Sequence, residues 1–168
     1  MPNEIREIIT KAVIGKGHLK NKTVYPLEAI TNVSSILGCW IVNHQYHAHL
    51  VKEKLYVEGQ FDLNIWYSLD DDKTSQVHVE TVHYKDELKI MTKEAVGLDG
   101  EVMLIATCPQ APVCLEAVIN DQGKIVVTCE KTLHVDIVGE TKICIEVSSE
   151  PEIWDEIDME VDPTFLEK

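Results

Sequence analysis

Alternation of apolar and polar residues with a period of two constrains this chain more than any other feature. In the run from Leu55 to Tyr67, the residues Leu55, Val57, Phe61, Leu63, Ile65 and Tyr67 share one face, while Glu58, Gln60, Asp62 and Asn64 share the other. Side chains at i and i+2 lie on one side only in an extended chain, so the run predicts a half-buried β-strand. Gly59 interrupts the apolar face, where a missing side chain marks a bulge, a bend or the close approach of another backbone. A second run, from Ile125 to Ile137, aligns Ile125, Val127, Cys129, Leu133, Val135 and Ile137, with Lys131 the single exception. At about 3.3 Å per residue this is long for one straight strand, and a bend is expected near Lys131.

Turn chemistry separates the alternating runs. Asn120-Asp121-Gln122-Gly123 reads as a hairpin loop in which glycine supplies a positive φ, and Gly139-Glu140 reads as a second chain reversal before Ile143. Leu69-Asp70-Asp71-Asp72-Lys73 and Gly97-Leu98-Asp99-Gly100 join further runs. Helical spacing is available only to Ile5, Ile8, Ile9, Ala12 and Val13, and to Trp154, Ile157 and Val161 before Pro163. The first of these segments is rich in β-branched residues and reads better as a strand. The expected fold is therefore all-β: an antiparallel β-sandwich or strongly twisted sheet pair of about ten strands. A chain of 168 residues suits one such domain with a core of its own, expected over residues 1–147 and followed by an acidic tail at 148–168.

Charge narrows the range of partners. The formal net charge is −14, and residues 148–168 carry eight acids against Lys168 alone, which is half of that imbalance. Nucleic acid and anionic lipid head groups attract clustered cations, so neither is an expected partner. The one basic cluster, Lys16, Lys20 and Lys22 with His18, lacks interleaved aromatics and reads as a solvated loop or edge. No run approaches the roughly 20 apolar residues of a membrane-spanning helix. The segment MPNEIREIITK lacks the apolar stretch of a secretory signal, so synthesis in the cytosol is expected. Cys39, Cys108, Cys114, Cys129 and Cys144 form no C-x-x-C pair, which points to buried small apolar residues, with cross-linking between chains as the alternative for any that are exposed.

No set of residues forms a catalytic motif. His44, His47 and His49 are the most suggestive metal ligands, but on a strand His47 and His49 face one way and His44 the other, so the three meet only through a bend. Neither a metal nor a cofactor is expected. Gly15-Lys16-Gly17-His18 has no phosphate-binding ending and reads as a turn or bulge, and Ser34-Ser35 lacks a nucleophile elbow. Asp86-Glu87 and Asp70-Asp71-Asp72 read as exposed loops, with nothing to separate their pKa values for acid and base roles. The tail is more informative, because Trp154, Ile157, Val161, Phe165 and Leu166 punctuate its acids, whereas purely solvating tails omit such residues. They are the candidate partner-binding residues, with packing back onto the body as the alternative.

Several of these stretches, taken together, also resemble a known family. Residues 6–13 (REIITKAV), 34–44 (SSILGCWIVNH), 57–67 (VEGQFDLNIWY) and 138–142 (VGETK), with the ending Asp162-Pro163-Thr164-Phe165-Leu166, resemble CotE, the outer-coat morphogenetic family of bacterial spores. The tail here is shorter and less densely acidic than that family's. The resemblance implies a non-catalytic scaffold made in the mother-cell cytoplasm and then resident in the spore coat. It implies self-association around the forespore, retention by a basement-layer coat ATPase and recruitment of outer-coat client proteins. A related spore-envelope adaptor is the close alternative. A small-molecule or metal-binding β-fold built on the three histidines is the rival from another class.

Overall fold

The computed structural model describes residues 3–92 and 100–147, and among these every regular element is a β-strand. They are β1 (Glu4–Leu27), β2 (Val33–Val51), β3 (Lys54–Leu69), β4 (Thr74–Leu88), β5 (Ile90–Met91), β6 (Met103–Thr107), β7 (Val113–Ile119) and β8 (Ile125–Val147). The expected antiparallel all-β fold is what the chain adopts, and the described residues hold eight strands, against about ten anticipated for the whole chain. One sheet has the order β5-β1-β8-β6, with β7 also on β8, and the other is the meander β2-β3-β4. Residues 11–141 form one compact unit, and 3–10 with 142–147 are the described part of a second.

Within residues 11–141 the two sheets pack face to face as a sandwich, and the alternation read from the sequence forms its core. Phe61, Leu63 and Ile65 of β3 meet Ile125, Val127 and Cys129 of β8 in one cluster. Leu55 and Val57 meet Leu133, Val135 and Ile137 in the other. Full burial of such side chains contributes roughly 1.5–3 kcal/mol each.

The hairpins follow local chemistry. At β7–β8, Asn120 Oδ1 accepts from the backbone N–H groups of Gln122 and Lys124, and Gly123 takes φ 76°. At β3–β4, Asp70, Asp71 and Asp72 all adopt positive φ, and the Asp72 carboxylate accepts from Ser35 and Ser68. The β2–β3 connection is a two-residue loop in which Lys52 and Glu53 have φ 50° and 63°. Neither is a residue that announces such a turn.

Three expectations are corrected. Gly139-Glu140 does not reverse the chain, because β8 runs through it to Val147, and the glycine instead makes room for Ile14, whose Cδ1 lies 2.6 Å from where a Cβ would stand. Gly15 to His18 is no turn or bulge but mid-strand β1, with Gly17 leaving space for Leu55 and Leu88. Near Lys131, where a bend was expected, β8 continues as one strand and the lysine stays on its buried face. Asp86 and Glu87 lie in β4, not in a loop. A missing or charged side chain is not a break in these strands: Gly139 leaves room for Ile14 of β1 in its own sheet, Gly17 leaves room for Leu55 and Leu88 of the facing sheet, and Asp86 pairs with Lys131 across the sheets.

Candidate functional site

The gap in the alternation at Gly59 and the charge at Lys131 are one feature seen from two sheets. Both positions fall between the two apolar clusters, β3 supplying Gly59 and β8 supplying Lys131. Tyr84 of β4 fills the space above Gly59, its hydroxyl at 2.6 Å from His44 Nε2 of β2. The Lys131 ammonium lies 4.3 Å from the centre of the Tyr84 ring and 2.9 Å from Asp86 Oδ2. That carboxylate oxygen is buried without an aligned hydrogen bond, so the contact is an ion pair more than a directed bond. Burial pushes the Tyr84 phenol above its ordinary range, and burial followed by the Lys131 charge lowers the His44 pKa. His44, Tyr84, Asp86 and Lys131 thus tie the two sheets together in the middle of the core.

This tie fixes the sandwich and leaves the other face of the meander to solvent. The cross-strand register places Trp40, Asn64 and Val79 side by side, and beside them Gly38, Trp66 and Val77. Trp40, Val42, Trp66, Val77 and Val79 are all exposed, Val79 at 54%. Contiguous exposed apolar patches are a general feature of surfaces that contact other molecules. Among the described residues β2 and β4 are also the free edges of this sheet, 19 and 15 residues long. Long unpaired edges can accept a strand from another chain.

Residues 3–10 and 142–147 form a two-stranded antiparallel ribbon, held by Asn3 Nδ2 donating to Glu146 Oε1 at 2.6 Å and by Lys142 beside Glu7 at 2.8 Å. The strand reading of this first segment is the correct one. Ile5 and Ile9 are about 70% exposed in the ribbon.

The histidines divide as their strand parity requires. A bulge between Val42 and Gln45, with Asn43 at φ 57°, turns His44 toward Tyr84 and the core side. His47 and His49 point outward, where Glu58 of β3 joins them. The rival built on three converging imidazoles loses its geometry. The lysines at 16, 20 and 22 are exposed on one side of β1, with Lys20 Nζ at 3.7 Å from Glu130.

The family model described as Outer spore coat protein E (CotE) matches residues 4–166. The chain belongs to that family. CotE membership makes it an outer-layer protein of the spore coat, from a structural family that is not a known enzyme family. No curated protein and no solved structure matches the chain. No helix among the described residues is long and apolar enough to cross a membrane. The tail residues Trp154, Ile157, Val161, Phe165 and Leu166 lie outside the described residues.

The five thiols of this CotE-family chain differ in environment. Cys129 is buried and its pKa is pushed up to about 12, chiefly by desolvation, and the same cause raises Cys39, which hydrogen-bonds to Cys114. Cys144 is exposed. Because the thiolate is the reactive form, native protein in iodoacetamide should label at Cys144 at least about tenfold faster than at Cys129. Peptide mass mapping over time checks this, and labelling at equal rates contradicts the packing.

Proposed function

We infer that this chain is a self-assembling morphogenetic scaffold. Copies associate around the forespore after synthesis in the mother cell, a basement-layer coat ATPase holds them there, and outer-coat proteins are collected on the assembled layer. The observation that carries this reading is the solvent-facing patch of Trp40, Trp66, Val77 and Val79 on a sheet whose two long edges are free among the described residues. An aromatic patch supplies buried area for association, and free edges supply main-chain hydrogen bonds. Residues 1–147 serve self-association in this reading, and the acidic tail with Trp154, Ile157, Val161, Phe165 and Leu166 captures clients. One tail binds weakly, since its anchors must offset the cost of ordering the segment. Many tails on one layer bind firmly, because effective concentration replaces new interface.

Light scattering tests the first half. The purified chain should run well above 19.0 kDa, and Trp40→Glu with Trp66→Glu should at least halve the assembly mass with the circular dichroism unchanged. A strictly monomeric wild-type species at tens of micromolar contradicts self-assembly. Deleting residues 148–168 tests the second half: the truncated chain should still assemble and still ring the forespore, while outer-coat proteins fail to join it. If clients still join, the tail is not their binding site.

A further inference from the structure

The outer face of the meander carries a second feature, separate from the tryptophan patch and independent of the scaffold reading. His47 and His49 sit two residues apart on β2 with their side chains on one face, and the register sets Glu58 of β3 directly opposite His47. His47 Nε2 lies 3.6 Å from one Glu58 carboxylate oxygen, and His49 Nε2 lies 3.9 Å from the other. One donor atom from each of the three residues falls within 4.8 Å of the others. A tetrahedral zinc site needs ligand atoms about 3.3 Å apart, given metal–ligand bonds of roughly 2.0–2.2 Å. Small side-chain rotations on a fixed backbone close that difference. The two strands hold the ligands, because the Val42–Gln45 bulge lies before His47 and the pairing from Gln45 to Val51 is regular. The rings of His47 and His49 are tilted by only 30°, and His49 stacks on Tyr56, which limits its orientations.

The geometry points to a divalent metal site formed by His47, His49 and Glu58, selective for borderline transition ions such as Zn²⁺ or Co²⁺. Two imidazoles and one carboxylate favour these ions over Ca²⁺ and Mg²⁺, which take oxygen ligands. Three protein ligands leave a fourth position, which opens on a groove lined by Gln45, Gln60, His83 and Lys85. Without metal, the cation on Glu58 is Lys85, its Nζ at 3.1 Å. Metal and ammonium therefore compete for one carboxylate, so losing the lysine charge strengthens metal binding even though it removes a native contact.

The test is a Co²⁺ titration of the chelator-treated full-length chain, followed by electronic absorption. The expected result is one saturable equivalent with tetrahedral d–d bands and no thiolate charge-transfer band. Losing a group that only orients a ligand costs roughly 10–100-fold in affinity, so His49→Ala and His47→Ala should each cost at least that lower bound. Lys85→Met should tighten binding, by roughly threefold to tenfold. Absence of saturable binding overturns the site, as does unchanged affinity in either histidine variant. A thiolate band assigns the metal to cysteines and also overturns it. A Lys85→Met affinity at or below that of wild type removes Glu58 from the ligand set and overturns the site as stated. The substituted positions are on the solvent face, and circular dichroism of each variant checks folding.

Discussion

Asp86→Ala should cost about 3–5 kcal/mol of folding stability, the range found when one partner of a buried ion pair is removed. The reason is Lys131, which is 5% exposed and has no other carboxylate within ion-pair distance among the described residues. Without Asp86 its ammonium is left in the core beside the Tyr84 ring. Replacing both partners together should behave differently. Lys131→Met with Asp86→Leu removes both desolvation penalties and keeps the volume, so stability should stay within about 1 kcal/mol of wild type or rise. The double variant also removes the cation that helps to lower His44, so the His44 pKa read by NMR should rise while burial continues to hold it down. Denaturant unfolding of the three proteins decides the matter. A cost below about 1 kcal/mol for Asp86→Ala would show that water reaches Lys131 and that the tie between the sheets is not a buried one.

Gly59→Ala should be nearly as damaging, at about 3 kcal/mol, although it adds one methyl group. A Cβ on Gly59 would overlap the Tyr84 hydroxyl and stand 2.6 Å from the Gln45 carbonyl oxygen. The side chain can move only by giving up its hydrogen bond to His44, worth about 1 kcal/mol, and the backbone oxygen belongs to the β2–β3 ladder. Overpacking of this kind adds roughly 1–3 kcal/mol. In a chain of this size the sum lowers Tm by about 6–12 °C. Gly38 supplies the contrast. A Cβ there would meet the Trp40 and Trp66 rings at 3.6 and 3.8 Å, which is ordinary contact. Gly38→Ala should therefore be neutral or mildly stabilising. Thermal melts of the two variants side by side check the prediction, and equal effects would mean that the Tyr84 pocket is not tightly packed.

Both predictions concern the rigidity of a sandwich whose outer face this CotE-family protein leaves open. A tie through the core holds the two sheets in one register, so the patch of Trp40, Trp66, Val77 and Val79 is presented on a defined surface. In the scaffold reading proposed above, each copy must offer the same geometry, and a loosely packed core does not supply that.

Strand content, which residues face the core and the antiparallel pairing were all legible in the sequence, because side-chain alternation is a local property of an extended chain. Phe61, Leu63 and Ile65 faced Ile125 and Val127 as their spacing required. Asn120 and Gly123 announced their turn for the same local reason, whereas Lys52 and Glu53 turn with no such signal because the long β2 and β3 ladders impose the reversal. Only the tertiary structure decided what the exceptions meant. Gly17, Gly59 and Gly139 are spaces for side chains from other strands, and Lys131 is answered by an acid 45 positions away in the chain. The same holds for Glu58, which joins His47 and His49 only because two strands pair in one register. A single chain's periodicity records which way each residue points. It carries no information on what a neighbouring strand brings to meet it, since that depends on long-range pairing and on the volume left between two sheets.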